Sequence, residues 1–400
     1  MKKYQKFIDF AANLPCVYSE VYRISKKSKY HSLRSRLTYN ILGRSYTNFI
    51  MFFEDALVLR VYQKDKDKYS DLVQETMHMR WEIDKDTSNW YEIPLSKINK
   101  SNESIIYELI KKSYDNLYEK YEQEFALNFN KEYFEGKFEG EEIMKLAIKH
   151  RNAEKYAHIL DKVKKKAVRL IENPDKVVKK GSSKLGGQPD LPIGFEWPLC
   201  DGKPLTFLAQ IDLSEVDPEK SGNRLPEKGF LYLFSGVANL EYEEYAYFLD
   251  KIDEPETNKV YYFDVDKKQL KRQNNYYSKL NEVPVDIDYI WSYPLYTEEK
   301  VFEEFNLSED ELELLIDLSD IYFTAVNSSI TMQYLSLHLL FAYEMAVQEL
   351  HSVDMVLFQT TSSEGTGMYW GDSGIFFYHI KEEDLKNLNF DNIKVSTNCS

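Results

Sequence analysis

Three residues in the second half of the chain have side chains that could form a hydrolytic site: His338, Asp372 and Ser373. Ser373 lies within Gly-Asp-Ser-Gly at 371–374, and a serine activated by a histidine base and a carboxylate can attack an acyl carbon. The sequence has no Ala-Ala-His-Cys block, the motif that would identify a histidine as the base, so no motif assigns a base to Ser373. Because Asp-Ser-Gly between two apolar runs is typical of a tight turn, we favour a turn and keep the hydrolase as one hypothesis.

Further polar and aromatic residues stand inside motif-like segments and are candidate binding residues. They share an amide, carboxylate, hydroxyl, imidazole or indole group that can hydrogen bond to a ligand. For each of them, structural hydrogen bonding inside the fold is the alternative, and a buried core position is the favoured interpretation of His338. The candidate binding residues are Gln188, Trp197, Gln210, Asp212, His338, Gln348, Trp370, Asp372 and Ser373.

The sequence contains none of the common cofactor motifs. It has no Walker phosphate loop, no G-x-G-x-x-G, no H-E-x-x-H and no paired C-x-x-C. His150 and His158 stand two helical turns apart with Glu154 between them, which is too far to bind one zinc ion without another ligand. The three cysteines are widely separated and predict no disulfide framework. We therefore expect no cofactor, no bound metal and no assigned catalytic residue.

Residues 184–213 position several of the candidates and are rich in glycine and proline. Gly186 and Gly187 allow backbone angles that a side chain would forbid, and three prolines between 189 and 198 each fix φ. Proline also moves the preceding residue out of the helical region. Residues 188–198 are therefore predicted to be extended and stiff, so that they lose little conformational entropy when they contact a partner.

The residues after this segment predict a β-strand. Apolar residues alternate with others over 207–213, which is the period of a strand with one apolar face. Gln210 and Asp212 are predicted to point to the opposite face.

These blocks carry a family resemblance. GGQPDLPIGFEWP, GKPLTFLAQIDL and LPEKGFLYLF resemble the YwqG-like family of bacterial proteins, and so do HLLFAYEMAVQ at 338–348 and YWGDSGIFFYHI at 369–380. Ala342 and Glu344 depart from the pattern, because the family usually has Gly and Pro there. The resemblance covers about 180–400 and implies an α+β domain with much antiparallel sheet. It implies no particular activity.

Residues 1–120 are similar to the MmcQ/YjbR-like domains. The shared features are DALVLRVY at 55–62, a tryptophan at the start of a strand (Trp90), and ELIKKSYDNL at 108–117. The Asn-Lys-X-His run that often precedes the tryptophan is missing. The resemblance implies a small antiparallel sheet between helices and makes DNA binding one expectation.

Periodicity predicts the remaining elements. Helices are predicted at 1–14, 65–77, 101–119 and 308–318, and a helical stripe is predicted around His338. Strands are predicted at 48–53, 56–62, 90–95, 229–234, 259–263, 355–360 and 375–380. Residues 121–180 are predicted to be a helical connector that ends at Asn173-Pro174. The predicted organisation is α+β, with an MmcQ/YjbR-like domain at 1–120, the connector at 121–180 and a YwqG-like domain at 181–400.

The net charge of −15 is unevenly distributed along the chain. Residues 1–180 have a balance of +8, and residues 181–400 have a balance of −23. The basic, tyrosine-containing segment at 1–50 could contact nucleic acid through phosphates and stacked bases, or it could face the acidic half; both alternatives stay open. No apolar run approaches the roughly 20 residues of a membrane helix, so we expect no membrane partner and a cytoplasmic location.

The preferred functional hypothesis is a non-catalytic protein-binding module. Its acidic second half suits a basic protein, and toxin neutralisation by an immunity-type protein is one specific form of it. The first alternative is a nucleic-acid-associated regulator that binds through residues 1–120. The second alternative is the hydrolase of His338, Asp372 and Ser373.

Overall fold

A computed structural model describes fourteen segments of the chain and divides it into two compact units, Met1–Glu154 and Lys155–Ser400. The described residues are 5–14, 17–23, 29–35, 48–62, 65–76, 88–115, 123–136, 138–236, 251–252, 254–274, 280–328, 337–345, 354–370 and 374–398. The chain is α+β, as predicted, and each unit has its own antiparallel sheet.

The first unit contains a six-stranded antiparallel sheet with the order β1-β2-β3-β4-β6-β5. Its strands are β1 (Val17–Arg23), β2 (Lys29–Ser35), β3 (Asn48–Phe52), β4 (Ala56–Tyr62), β5 (Gln74–Glu75) and β6 (Ser88–Pro94). Its helices are α1 (Gln5–Ala12), α2 (Glu103–Asp115), α3 (Gln123–Gly136) and α4 (Glu141–His150). The core is formed where α1 and α2 pack against the sheet, and it includes Phe7, Leu59 and Ile110.

The predicted strands and helices of this unit are confirmed at β3, β4, β6, α1 and α2, but the helix predicted at 65–77 is wrong. Tyr69, Leu72 and Val73 are buried at helical spacing. Only Tyr69 lies in a 3₁₀ turn (Asp67–Tyr69); Leu72 and Val73 follow it, and the chain then pairs with β6 through β5. Only three residues carry the helical spacing here. A pattern that short is equally consistent with an isolated turn, so it does not predict a helix.

The second unit contains a ten-stranded antiparallel sheet with the order β14-β13-β12-β8-β16-β7-β17-β18-β19-β20. These strands are β7 (Lys165–Glu172), β8 (Lys184–Leu185), β12 (Thr206–Asp212), β13 (Phe230–Ser235), β14 (Asn258–Phe263), β16 (Val283–Ser292), β17 (His338–Leu340), β18 (Met355–Thr361), β19 (Ile375–Ile380) and β20 (Lys394–Asn398). Two short pairs stand apart from this sheet: β9 (Asp190–Pro192) with β15 (Leu270–Arg272), and β10 (Leu199–Cys200) with β11 (Lys203–Pro204).

Helices of the second unit are short except for one. They are α5 (Ala157–Val163), α6 (Pro218–Ser221), α7 (Glu309–Ser328) and α8 (Glu382–Lys386), and a 3₁₀ segment spans Tyr296–Phe305. The acidic helix predicted at 308–318 is confirmed as the first part of α7. The strands predicted in this unit are confirmed as β12, β13, β14, β18 and β19.

The connector prediction is wrong after residue 163, because Lys165–Glu172 is a strand. It pairs with β16 on one side and with β17 on the other, so it lies inside the sheet. Residues 167–170 are all buried, and a strand that is buried on both faces loses the alternation that identifies strands in a sequence. Asn173 and Pro174 therefore follow a strand and not a helix.

Two further predictions are corrected by burial and pairing. Strand β12 has no solvent-facing side, since all of its residues are buried, including Gln210 and Asp212. His338 begins strand β17 and does not stand on a helix. Among the helices of the described residues, none combines the length and the apolar character needed to cross a membrane.

Candidate functional site

The proline-rich residues 189–204, here called the ribbon, are fixed to the sheet through the backbone of Asp190. The Asp190 N–H donates to Gln210 Oε1 (2.7 Å), and the Asp190 carbonyl accepts from the Tyr232 hydroxyl (2.5 Å). The Gln210 amide also donates to the Ser182 carbonyl (3.0 Å). Because these groups are buried and mutually satisfied, they hold the start of the ribbon in one position.

The Asp190 side chain belongs to an ion network in which Asp190 and Lys184 are fully buried, while the Arg272 and Glu282 side chains are 32 % and 30 % exposed. Arg272, opposite it in the β9–β15 pair, donates to both of its oxygens at 2.7 and 3.2 Å. Arg272 and the fully buried Lys184 both donate to Glu282 Oε2 at 2.6 Å. Burial acts to raise the pKa of Asp190, but the bonds from Arg272 and the Gly181 N–H outweigh it and hold that pKa below its ordinary value.

The net pKa shifts of the two cations, Lys184 and Arg272, have opposite directions. Burial lowers the pKa of Lys184, and Glu282 only partly opposes this. Burial also acts to lower the pKa of Arg272, but Asp190 and Glu282 outweigh it and raise that pKa. The network therefore joins two carboxylates, Asp190 and Glu282, to two cations, Arg272 and Lys184.

The glycine pair before the ribbon is required by close approach of the backbone. Gly187 has φ of +68°, and a Cβ built there would stand 2.4 Å from Glu282 Cβ and 2.9 Å from its Cα. Gly186 has φ of +56°, and a Cβ there would stand 2.3 Å from the Asn281 carbonyl oxygen. The backbone at residues 186–187 thus lies so close to residues 281–282, which precede β16, that only glycine fits there.

We expect Gly187→Ala to lower the free energy of unfolding of the second unit by about 2–4 kcal/mol, since it adds a clash to a positive φ. Gly194→Ala is the matched control, because Gly194 also has a positive φ (+89°) but no atom within 4 Å of the built Cβ. It should cost about 1–2 kcal/mol. Urea denaturation measures both variants, and equal losses would contradict a role for close approach.

The ribbon presents apolar side chains to solvent on this fixed base. Ile193 is 70 % exposed and Leu199 is 50 % exposed. Between them, Trp197 is half-buried, and its indole N–H donates to the Leu205 carbonyl (2.9 Å). Its ring meets Phe234 edge to face with centroids 5.4 Å apart. Trp197 therefore anchors the ribbon to the core, while Ile193 and Leu199 remain exposed.

The polar residues predicted around the ribbon have structural partners. Gln188 is half-buried, and its carbonyl accepts from Lys184 Nζ. Asp212 is 1 % exposed, caps the turn at Ser214 through Oδ1, and forms an ion pair with Lys267 (2.6 Å) at the edge of a cavity of about 310 Å³. Whether these residues, or Gln210, also bind a ligand stays a prediction.

His338 is buried and both of its ring nitrogens have partners. Nδ1 lies 2.6 Å from Thr360 Oγ1, and Nε2 lies 3.0 Å from Glu172 Oε1. The same Glu172 oxygen accepts from the Ser363 hydroxyl. Burial acts to raise the pKa of Glu172, but the bonds from His338 and Ser363 outweigh it and lower that pKa. The order of these contacts places a carboxylate between serine and histidine, so His338 is not oriented as a base toward Ser363.

Trp370 is fully buried and stacks on Phe376 with ring centroids 4.5 Å apart. Its backbone N–H donates to Ser362 Oγ (3.0 Å). Gln348, Asp372 and Ser373 lie outside the described residues. The hydrolase hypothesis therefore stays a prediction, and what is described of it, a fully engaged His338, adds no support.

The basic segment proposed for nucleic acid falls partly outside the described residues, and of its basic side chains only that of Lys6 is described. The described parts of 1–50 are α1, the backbone of β1 and β2, and the start of β3. The acidic run at 241–245 also lies outside them. Nucleic-acid binding through residues 1–120 thus stays a prediction.

Sequence reasoning did not identify the ion network or two basic residues at a cavity, Lys165 and Arg224. Asp190 and Lys184 stood inside the recognised block, but a charged residue in a turn-rich segment is usually exposed. Arg272 and Glu282 are distant in sequence from Asp190 and Lys184, and neither of them lies in a motif that would identify it as a partner. Lys165 lies in the region that was predicted to be a helical connector, so its position at the start of a strand was not expected.

The comparisons with known proteins give one family. The model described as "Domain of unknown function (DUF1963)" matches residues 183–399, which is close to the region of the resemblance at 180–400. No curated protein matches the chain. The resemblance of residues 1–120 to the MmcQ/YjbR-like domains stays a prediction.

Proposed function

The chain belongs to the family described as Domain of unknown function (DUF1963), and on that premise we propose that its second unit is a non-catalytic module that binds a protein through the ribbon. The observation that carries the proposal is the exposure of Ile193 and Leu199 on a segment whose base is held by buried hydrogen bonds. Single exposed apolar residues are common on proteins. Here two of them occur within seven residues of a rigid segment.

Rigidity favours binding because it reduces the entropy lost on association. The Asp190 backbone bonds, the Trp197 anchor and the prolines restrict the ribbon before any partner arrives. Apolar anchors at the centre of an interface with a polar rim are the usual arrangement in protein complexes. Glu196 and Asp201 are exposed within the ribbon and supply acidic rim groups.

The partner that fits this surface is a basic protein. The balance of −23 over residues 181–400 attracts a basic partner and accelerates its association. Exposed carboxylates are also concentrated along the 3₁₀ segment and the start of α7, at Glu299, Glu303, Glu304, Glu309, Asp310 and Glu313. Neutralisation of a basic toxin is one specific form of this function.

We expect the double variant Ile193→Asp with Leu199→Asp to lose its partner, because it places charge at both apolar anchors. The tagged full chain would be used to isolate stoichiometric partners from its source cells, and the affinity of the purified partner would be measured by calorimetry. The double variant should bind at least tenfold more weakly, and binding by the wild-type chain should weaken as salt rises.

Val177→Asp is the matched control, since Val177 is 76 % exposed and lies outside the ribbon. It should retain wild-type affinity, and all variants should keep the wild-type Tm. Absence of a stoichiometric partner, or equal affinity of the double variant, would contradict the proposal.

A further inference from the structure

A second cavity lies at one end of the large sheet, and its described lining includes none of the candidates named from the sequence. Its volume is about 650 Å³. Strands β7 and β18 begin at this end, and β19 continues there into α8. The loop that follows α6 completes the wall. The lining residues are Lys165, Gly222, Asn223, Arg224, Leu225, Pro226, Met355, Glu382, Leu385, Lys386 and Leu388.

Two cations in this lining are held by aromatic rings and a backbone carbonyl. Lys165 Nζ lies 3.5 Å from the centroid of the Tyr343 ring. The Arg224 guanidinium lies 5.1 Å from the centroid of the Phe341 ring and donates to the Lys166 carbonyl (2.8 Å). Cation–π contacts of this kind stabilise the charge without neutralising it.

The described residues provide no ion pair for either cation. Glu298, Glu344 and Glu382 influence the two cations electrostatically, but none of them lies within ion-pair distance. Glu382 is itself paired with Lys386 at 2.8 Å. Burial lowers the pKa of Lys165 to about 8, with Glu298 opposing this, and burial likewise lowers the pKa of Arg224. Positive charge that is partly desolvated and unpaired is costly, and an anion that enters the cavity would remove this cost.

The remaining walls define the rest of the ligand. Leu225, Pro226, Met355, Leu385 and Leu388 give the cavity apolar surface beside the cations. A volume of about 300–1,000 Å³, apolar walls and a few converging polar groups are typical of small-molecule sites. A site for a protein partner would instead need a flat, exposed apolar patch.

We propose that this cavity binds a small organic anion, in which a carboxylate or phosphate group contacts Lys165 and Arg224 and an apolar body contacts the leucine and methionine side chains. Arginine and lysine together can bind either head group, the arginine through two parallel N–H donors and the lysine as a point charge. The site is separate from the ribbon and does not depend on its proposed function.

Calorimetry on the full chain tests the proposal with four probes: octanoate and 1-octanol, and phenyl phosphate and phenol. Each anion is matched by a neutral compound with the same apolar body. We expect saturable binding of at least one anion and at least tenfold weaker binding of its neutral match. Binding of octanoate alone would assign a carboxylate ligand, and binding of phenyl phosphate alone would assign a phosphate ligand.

Variants locate the binding. Lys165→Met should weaken binding of the anion at least tenfold, and Lys165→Arg should restore most of it because it keeps the charge. Lys220→Met is the control, since Lys220 is exposed and paired with Asp217 outside the cavity; it should change affinity less than twofold. A Tm measurement would show whether each variant is folded.

The wild-type chain supplies a readout that needs no variant. Lys165 should react with an amine-directed reagent at pH 8, and the bound anion should slow this reaction at least fivefold, as followed by mass spectrometry. The proposal is overturned if neither anion binds saturably, if the neutral probes bind as tightly, or if binding leaves Lys165 reactivity unchanged.

Discussion

Asp190→Ala is expected to lower the free energy of unfolding of the second unit by about 3–5 kcal/mol, the range found when one partner of a buried ion pair is removed. The variant would leave Arg272 and Lys184 sharing the single carboxylate of Glu282. It would also leave the Gly181 N–H without the acceptor it now uses. Urea denaturation followed by circular dichroism measures the loss.

The pH dependence of this loss follows from the lowered pKa of Asp190. A carboxyl group whose pKa is lowered by folding contributes stability above its unfolded pKa of about 3.9, and the contribution disappears as pH falls through the folded value. The difference between the wild-type chain and Asp190→Ala should therefore be largest at neutral pH and should shrink in acid. Hydrogen exchange should show lost protection in β9 and β12.

Asp264→Asn is the control for this experiment, because Asp264 is about half exposed and pairs with the exposed Lys228. Exposed pairs contribute about 0–1 kcal/mol. A loss below about 1 kcal/mol for Asp190→Ala, or an equal loss in both variants, would show that the network does not stabilise the fold.

Glu344→Gln should make the protein more stable at alkaline pH. Burial raises the pKa of Glu344 to about 7, and Glu298 adds to the increase while Lys165 opposes it. A carboxyl group with a raised pKa contributes stability below its unfolded value of about 4.5, and that stability is lost as pH rises through 7. At about 1.4 kcal/mol per pKa unit, the loss is about 3 kcal/mol, and glutamine does not incur it.

His379, whose Nδ1 lies 3.4 Å from Glu344 Oε1, has the opposite pH dependence. Burial lowers its pKa to about 4. Below about 6.5, folding therefore costs more as pH falls, because the unfolded histidine binds a proton and the folded one does not. The effect of Glu344 is for this reason measured as a difference between the variant and the wild-type chain, both of which contain His379.

The measurement is the difference in unfolding free energy between Glu344→Gln and the wild-type chain at a series of pH values from 4 to 8.5. We expect this difference to increase by about 3 kcal/mol in favour of the variant across that series. Glu303→Gln, at an exposed position, should show a difference that does not change with pH. A flat difference for Glu344→Gln would contradict a raised pKa.

The sequence was sufficient to predict the elements that have clear periodicity or turn residues. The β3–β4 pair, α7 and the strands β13 and β18 each show one buried face, a long apolar stripe or a bounded apolar run. The extended course of the ribbon followed from its prolines, which act locally on φ. The α+β class was implied by the family resemblances.

The strand β7, which is buried on both faces at its centre, could not be predicted from the sequence. The run at 167–170 has the periodicity of a helix in the sequence, and the alternation over 207–213 does not show that Gln210 and Asp212 are buried, because burial from the second side depends on distant segments. The same limit applies to the site. Arg272 and Glu282 meet Lys184 and Asp190 only after the sheet has formed, so spacing in the sequence carries no trace of the network.

The family match begins at residue 183, whereas the compact unit begins at Lys155. The difference includes β7, whose Glu172 is the partner of His338 and whose first residue lines the 650 Å³ cavity. A fragment limited to the matched residues would leave β16 and β17 with unpaired edges in the middle of the sheet. Both the fold and the proposed anion site therefore depend on residues outside the matched region.

The position of β7 also has a consequence for biosynthesis. This strand leaves the ribosome before either neighbour exists, because Lys165 pairs with Ser292 and Arg169 pairs with Leu339. At about 5–20 residues per second, the first neighbour follows on the order of 10 s later. During that interval β7, whose residues 167–170 are buried in the finished sheet, has no neighbouring strand, so chaperone assistance would matter most before translation has passed β16.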